Sequence, residues 1–302
     1  MLDLLLAPVV EIYRLALQPI APFTWFGLPF STLDVAAALR TCIALRQIRE
    51  QLHKQHVAKK AATKDASIQE VQERSFVRDL TTVLLVVFGG EALSAPALGI
   101  PASFMVSGAG IGLWAGVVAA IERLPSIYAP SFQTELPVSL LDGFTRAFLL
   151  CSLIPPMVVG HPMEAVAASP WSLLVTSLVT ANGGFFVVNA MSFLQPYALT
   201  LTTPAEMLPW GWTTTDLWAA PFITGLYALL THAQPFWADA HAVALRLLGS
   251  SASEVTKVQP VDPEYARALC AAVLMGLFSK RTVQNFSKPQ VKRVDVPKTK
   301  VQ

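Results

Sequence analysis

The chain has 302 residues, of which 53% are apolar and only 14% are charged, and its formal net charge is +2. Soluble globular proteins carry about 25% charged residues, whereas the mean hydropathy of this chain is +0.50. Because its charges concentrate in connectors and at the ends, the composition excludes an ordinary soluble enzyme and predicts an all-α integral membrane protein.

The first 28 residues predict an N-terminal interfacial segment. They combine apolar residues with Glu11 and Arg14, and a stretch rich in proline and aromatic residues follows through Trp25. Aromatic side chains favour the headgroup level of a bilayer. The segment 31–48 then has a helical apolar face despite its charges, and we interpret it as the first membrane span.

Six further apolar stretches are long enough to cross a bilayer, which takes about 20 residues. The predicted spans are 79–99, 102–121, 138–160, 170–194, 215–233 and 265–282. They complete a seven-span domain at 29–285. A basic loop at 46–78 and a basic tail at 286–302 flank the spans, and excess Lys and Arg marks the cytosolic side. An odd number of spans puts both regions, and therefore the C-terminus, in the cytosol.

Two glycine pairs, Gly89-Gly90 and Gly183-Gly184, occupy matching positions in the second and fifth spans. They divide the bundle into two inverted three-helix repeats plus a final helix, a plan found in many transport proteins. Each pair has two interpretations, close packing between helices or a break that turns carbonyls toward an ion or water. The pore and gating candidates are Gly89, Gly90, Glu91, Ser94, Gly183, Gly184 and Asn189.

Charges inside the spans are functional candidates because the bilayer centre disfavours them. Glu91 could line a cation path, offset Arg146 or pair with a neighbouring helix. Asp142 and Arg146 lie four residues apart on one helical face, which predicts a mutual ion pair. Asp34 and Asp216 open their spans, where helix N-termini favour negative charge.

For the smaller polar residues in the spans we expect hydrogen bonds. Ser94 and Asn189 are expected to hydrogen-bond between helices, with pore lining as the alternative. The three cysteines, Cys42, Cys151 and Cys270, lie far apart in apolar stretches and are interpreted as small core residues.

The order of the spans and three short motifs carry a resemblance. The motifs are Phe88-Gly89-Gly90, Asn182-Gly183-Gly184 and an entry to the first span that runs from Pro29 to Asp34. Over residues 29–285 the chain resembles a divergent eukaryotic member of the trimeric intracellular cation channel family. The resemblance implies a homotrimer that passes monovalent cations, above all potassium, as counter-ion flux across the endoplasmic reticulum or another intracellular membrane.

The chain departs from the family pattern at two places. Glu91 and Phe185 stand where the family has a third glycine. The segment 141–146 replaces the family's Lys-Glu-Val motif, so only Arg146 can take the basic role. Asp142 and Arg146 are therefore modulating or lipid-contact candidates.

Three functions stay open at this point: a cation channel, a secondary transporter of a small solute, and a membrane scaffold that transports nothing. The sequence has no motif for a catalytic nucleophile, a phosphate-binding loop or a zinc site. We therefore expect no enzyme activity, no cofactor, no metal and no nucleic-acid partner. The basic tail fits either anionic lipids or a topology signal alone.

Overall fold

A computed structural model describes residues 2–21, 28–62, 69–247 and 258–287. The predicted tail beyond residue 287 and part of the predicted basic loop, 63–68, lie outside these ranges. Every regular element of the described residues is a helix, and the only pairing of extended backbone is an isolated bridge between Pro19 and Ser31. The predicted all-α class is confirmed.

The described residues form twelve α-helices. They are α1 (Leu2–Ala16), α2 (Thr32–Ala62), α3 (Phe76–Ala97), α4 (Ser103–Val106), α5 (Ala109–Glu122), α6 (Phe132–Phe148), α7 (Ile154–Val159), α8 (Glu164–Ala167), α9 (Pro170–Ala190), α10 (Thr215–Thr231), α11 (Pro235–Leu247) and α12 (Pro263–Ser287). A π-helical segment, Leu149–Leu153, joins α6 to α7, and two 3-10 turns, Ala205–Met207 and Gly211–Thr213, precede α10.

Three of these helices are long and apolar enough to cross a bilayer. They are α3, α9 and the continuous run Phe132–Val159 made of α6, the π-helical segment and α7. This composition suits a helical membrane protein. The helices at the other predicted spans are shorter or more charged: α5 has only 14 residues and α10 has 17. The expected number of seven spans is therefore not established by helix length and composition.

The helix α2 continues well past the predicted first span. It runs without interruption from Thr32 to Ala62, so more than half of the region 46–78 predicted as a loop is helical. The reason is local, because Arg, Gln, Lys and Ala are good helix formers and this stretch contains neither Gly nor Pro.

The N-terminal helix α1 belongs to the core of the bundle. Tyr13 is fully buried, its ring stacks on Phe144 with centroids 3.7 Å apart, and its hydroxyl donates to the carbonyl oxygen of Phe144 at 2.7 Å. Leu6 and Val10 pack against Ala268 of α12. The predicted interfacial segment is thus anchored in the bundle through one helical face.

Two antiparallel helix pairs form the centre of the fold. In the first, α3 packs against α9. In the second, α6 packs against α12, where Gly143 lies so close that a Cβ atom there would be 2.7 Å from the backbone nitrogen of Met275. Small residues at both contacts let the backbones approach closely.

One end of the bundle, which we call the basic end, collects arginine side chains. Arg49 and Arg74 each form ion pairs with both Asp79 and Glu122, which joins α2, α3, α5 and the segment before α3. Arg78 donates to four backbone carbonyl oxygens just after the end of α9, those of Ser192, Phe193, Gln195 and Tyr197. Ion pairs and arginine–carbonyl hydrogen bonds therefore connect the helices at this end.

Candidate functional site

The two predicted glycine pairs meet where α3 crosses α9. A Cβ atom on Gly89 would lie 2.9 Å from the Cα of Gly184, and one on Gly183 would lie 3.2 Å from the Cα of Gly90. Added Cβ atoms on Gly90 and Gly184 would overlap the carbonyl oxygens of Thr180 and Leu85 in the facing helix. At Gly89, Gly90 and Gly184 only glycine permits this approach.

Both helices continue through their glycines. The pair at 89–90 lies inside α3, and the pair at 183–184 lies inside α9, with no interruption in either helix. Of the two interpretations of the pairs, close packing is confirmed and the break that exposes carbonyls is wrong. The physical reason is that the absence of side chains at the glycines allows the two helices to come into contact. This contact leaves the backbone hydrogen bonds within each helix intact.

The polar neighbours of the glycines behave differently from each other. The Ser94 hydroxyl hydrogen-bonds to the Thr180 hydroxyl at 2.7 Å, so the predicted bond between helices is confirmed there. The Asn189 side chain makes no hydrogen bond within the part of the chain that the structure describes. Its backbone carbonyl instead accepts from the Thr202 hydroxyl at 2.9 Å.

A cavity of about 690 Å³ lies beside the glycine crossing. We call it the main cavity. Its wall is contributed by α2, α3, α4, α5, α6, α9, α10 and α12, and it includes Val86, Val87 and Phe88 from the turn of α3 just before the glycines. The charged residues in its lining are Asp34, Asp142, Arg146, Asp216 and Arg281.

The main cavity extends along the bundle axis. Asp34 lies at the start of α2, and Ser103 lies at the start of α4, both at the end opposite the basic end. Asp216 lies in the first turn of α10 and pairs with Arg281, on the side of the bundle where α9 ends. Asp142 and Arg146 lie between these two groups on α6, so polar groups occur along the length of the cavity.

Arg40 is a functional candidate that the sequence analysis missed. Its Nε donates to Asp142 at 3.0 Å, and its Nη2 donates to Glu135 at 3.0 Å. The three side chains are 14–23% exposed. The expected ion pair between Asp142 and Arg146 is therefore wrong, because α2 brings a guanidinium within reach of the same carboxylate. The sequence carried no signal for this contact, because Arg40 and Asp142 are 102 residues apart.

Arg146 contacts α9. Its Nη2 donates to the side-chain oxygen of Asn182 at 3.2 Å, one residue before the glycine pair of α9. No carboxylate among the described residues forms an ion pair with it. A guanidinium thus lies beside the glycine crossing with a neutral amide as its hydrogen-bond partner.

Glu91 accepts hydrogen bonds from Ser103 at the start of α4. Its carboxylate accepts from the backbone N–H of Ser103 at 2.6 Å and from the hydroxyl of the same residue at 2.7 Å. The expectation that it offsets Arg146 is wrong, and the alternative of pairing with a neighbouring helix is the one realised. Negative charge is favoured at this position because backbone donors at a helix start lack partners.

The two acidic residues predicted to open their spans both lie in the first turn of a helix. Asp34 accepts from the backbone N–H and the hydroxyl of Ser31 at 2.8 Å, and the Ser31 hydroxyl accepts from the N–H of Asp34, so its capping role is confirmed. Asp216 instead forms an ion pair with Arg281 of α12. Cys42, Cys151 and Cys270 are buried free thiols, as expected for core residues.

A comparison of the chain with known protein families finds no match, and comparisons with curated proteins and with solved structures find none either. The functional argument therefore depends on the site itself.

Proposed function

We propose that this protein is an ion channel that passes monovalent cations, with potassium as the main one, through the main cavity of each subunit. The observation that carries the proposal is the main cavity, which bears charged side chains along an otherwise apolar helix bundle. Asp142 and Arg146 belong to a helix run long and apolar enough to cross a membrane. A charged residue at the bilayer centre costs about 2.5–3.5 kcal/mol by insertion scales, unless it faces water or a partner.

The arrangement of α3 and α9 supports the seven-span, inverted-repeat plan. In this plan the triplets are α2, α3, α5 and the run Phe132–Val159, α9, α10, with α12 as the final helix. The second helix of each triplet should enter the membrane in opposite directions, and the antiparallel crossing of the two glycine pairs fits that requirement. The glycines would then fix the seam between the repeats, and the cavity would run beside it.

The cation preference, the homotrimer and the intracellular location depend on the resemblance to the trimeric intracellular cation channel family. The placement of the basic end in the cytosol depends on its Lys and Arg content. In this proposal Asp142, held by Arg40, contributes negative charge to the path, and Arg146 modulates the field at the glycine crossing.

The test is a recording of the purified protein in planar bilayers under a potassium chloride gradient. We expect a reversal potential close to that of a cation-selective pore, and a shift toward higher cation selectivity in Arg146→Gln. Lys60→Gln serves as the matched control, because Lys60 is exposed on the part of α2 beyond the bundle. An anion-selective current, or none, would contradict the proposal.

A carrier of a small solute built on the same plan is the second candidate. The mixture of acidic and basic residues around Arg146 favours it, because such a mixture can bind a polar solute as well as line an ion path. Saturable uptake into liposomes that depends on an ion gradient, without channel current, would select this function.

A further inference from the structure

A second cavity of about 320 Å³ adjoins the main cavity at Arg146. We call it the side cavity. It shares Val86, Arg146, Ala181 and Asp216 with the main cavity. It adds residues from α9, from the segment before α10 and from α10 itself, namely Asn182, Phe185, Glu206, Thr214 and Leu217. Its volume lies at the low end of the range for small-molecule sites, roughly 300–1,000 Å³.

Arg146 supplies a positive group on one side of this cavity, and most of its N–H donors make no hydrogen bond to the described residues. A guanidinium carries five N–H donors. Among the described residues, Arg146 donates one side-chain hydrogen bond, from Nη2 to Asn182. Asn182 is itself fixed, because its side-chain nitrogen donates to the carbonyl oxygen of Leu178 at 3.0 Å. Arg146 is half-buried and lines both cavities, so its other N–H donors are available to an anionic group that enters the side cavity.

Glu206 supplies a negative group in the same cavity. Its Oε2 is shielded from solvent and accepts no hydrogen bond from any residue in the described ranges. The residue lies in a 3-10 turn, Ala205–Met207, whose backbone packs directly against Gly211, where a Cβ atom would overlap the carbonyl oxygen of Ala205. This contact holds the backbone of Glu206 in place. The neighbouring Asp216 is already paired with Arg281.

We propose that the side cavity binds a small zwitterion, with the carboxylate of the ligand at Arg146 and its ammonium group at Glu206. Opposite charges presented from two sides of one cavity match a molecule that carries both charges on a short carbon chain. The apolar wall formed by Val86, Ala181 and Leu217 suits the methylene groups between them. The inference goes beyond the proposed ion path, and a bound zwitterion would occupy the place where the two cavities meet.

The test measures ligand binding rather than ion flux. The full-length protein in detergent is titrated with glycine, β-alanine and 4-aminobutyrate, which separate the two charges by increasing distances, and the unfolding temperature and the heat of binding are recorded. Acetate and methylammonium carry one charge each and serve as controls. We expect at least one zwitterion to raise the unfolding temperature in a saturable way, and neither singly charged compound to do so.

The variant Glu206→Gln should weaken zwitterion binding at least tenfold, whereas Glu164→Gln, an exposed carboxylate outside the cavity, should leave it unchanged. Glu206 lies in a surface turn, so the variant tests the proposal even if replacement of Arg146 impairs folding. No binding, equal binding of acetate, or full binding by Glu206→Gln would overturn the inference. The ion path is tested separately, since currents can occur without zwitterion binding and binding without currents.

Discussion

Arg40 connects α2 to α6 through two carboxylates that are themselves seven residues apart on α6. Its Nε and Nη2 bind Asp142 and its Nη2 also binds Glu135, whereas Nη1 is buried and has no partner among the described residues. Such a cluster is stable only while both signs of charge are present, because a lone buried charge loses its hydration without compensation.

We expect Arg40→Gln to destabilise the fold strongly. Removal of one partner from a buried pair costs about 3–5 kcal/mol, and here two carboxylates lose their guanidinium. Thermal unfolding of the purified protein in detergent measures the loss. Arg14→Gln is the matched control, since Arg14 pairs with Glu11 and Glu264 in an exposed position and little change is expected. Equal effects of the two variants would contradict the assigned role of Arg40.

A histidine pair at the end of α10 predicts a pH dependence. The rings of His232 and His241 are joined by a 2.9 Å hydrogen bond, and burial, followed by the proximity of His232, lowers the pKa of His241. The unfolded chain therefore binds a proton at higher pH than the folded chain does. Stability is full above the unfolded pKa of about 6.5 and falls as the pH decreases below it.

The measurement compares unfolding temperatures at several pH values between about 7.5 and 5.5. We expect the wild-type protein to lose stability over this range and His241→Gln to show a smaller loss. A variant that follows the same pH profile as the wild type would show that the pair makes no contribution.

The local cap at the start of α2 could be predicted, and contacts across the bundle could not. The Ser31 and Asp34 cap spans three residues, so its chemistry is readable from the order of residues alone. Arg40 and Asp142 are 102 residues apart. Their pairing depends on which helix faces meet. The residue pattern within one helix does not show which face of another helix it contacts.

At the scale of the helices, the crossing of α3 and α9 determines the shape of the bundle. The sequence identified both glycine pairs as special positions. It was equally compatible with close helix packing and with a helix break, since each requires glycine for a different reason. The structure shows two uninterrupted helices in backbone contact. The cavity is formed beside the glycines by side chains, and the carbonyls of the two helices remain in their helical hydrogen bonds.

We expect Gly184→Ala to cost about 3 kcal/mol or more, because its methyl group would overlap backbone atoms at Leu85 and Val86 that cannot move aside. Gly116→Ala in α5 is the matched control. No atom lies within 4 Å of a Cβ there, and alanine favours a helix by up to about 1 kcal/mol over glycine. The measurement is the yield of folded protein by size-exclusion chromatography together with its unfolding temperature. A stable Gly184→Ala protein would contradict the close crossing.

The helices α1, α2 and α5 show where prediction from hydropathy fails. The charged second half of α2 resembles a loop by composition, yet its residues favour a helix and the segment has no helix breaker. The buried face of α1 is recognisable only once Tyr13 is known to lie against Phe144. The helix α5 is apolar up to its last residue, Glu122, but the prolines and glycines before it delay the start of the helix.

At the scale of the whole molecule, two groups of charged residues lie at the basic end and around the main cavity. At the basic end, two arginines and two carboxylates join three helices. Around the cavity, charges are distributed along its length, with one pair at the basic end, Asp142 and Arg146 in the middle and Asp34 at the far end. In a bilayer such an arrangement is expected when water reaches the charges.

The most direct test of the ion path is a block by chemical modification from within the main cavity. Thr145 lines this cavity on α6, while Leu140 on the same helix is 45% exposed outside it, so Thr145→Cys and Leu140→Cys form a matched pair. Single-channel currents are recorded before and after a positively charged thiol reagent. The account predicts that potassium current through Thr145→Cys is blocked and that current through Leu140→Cys persists. Unchanged current through both variants would contradict passage through the main cavity.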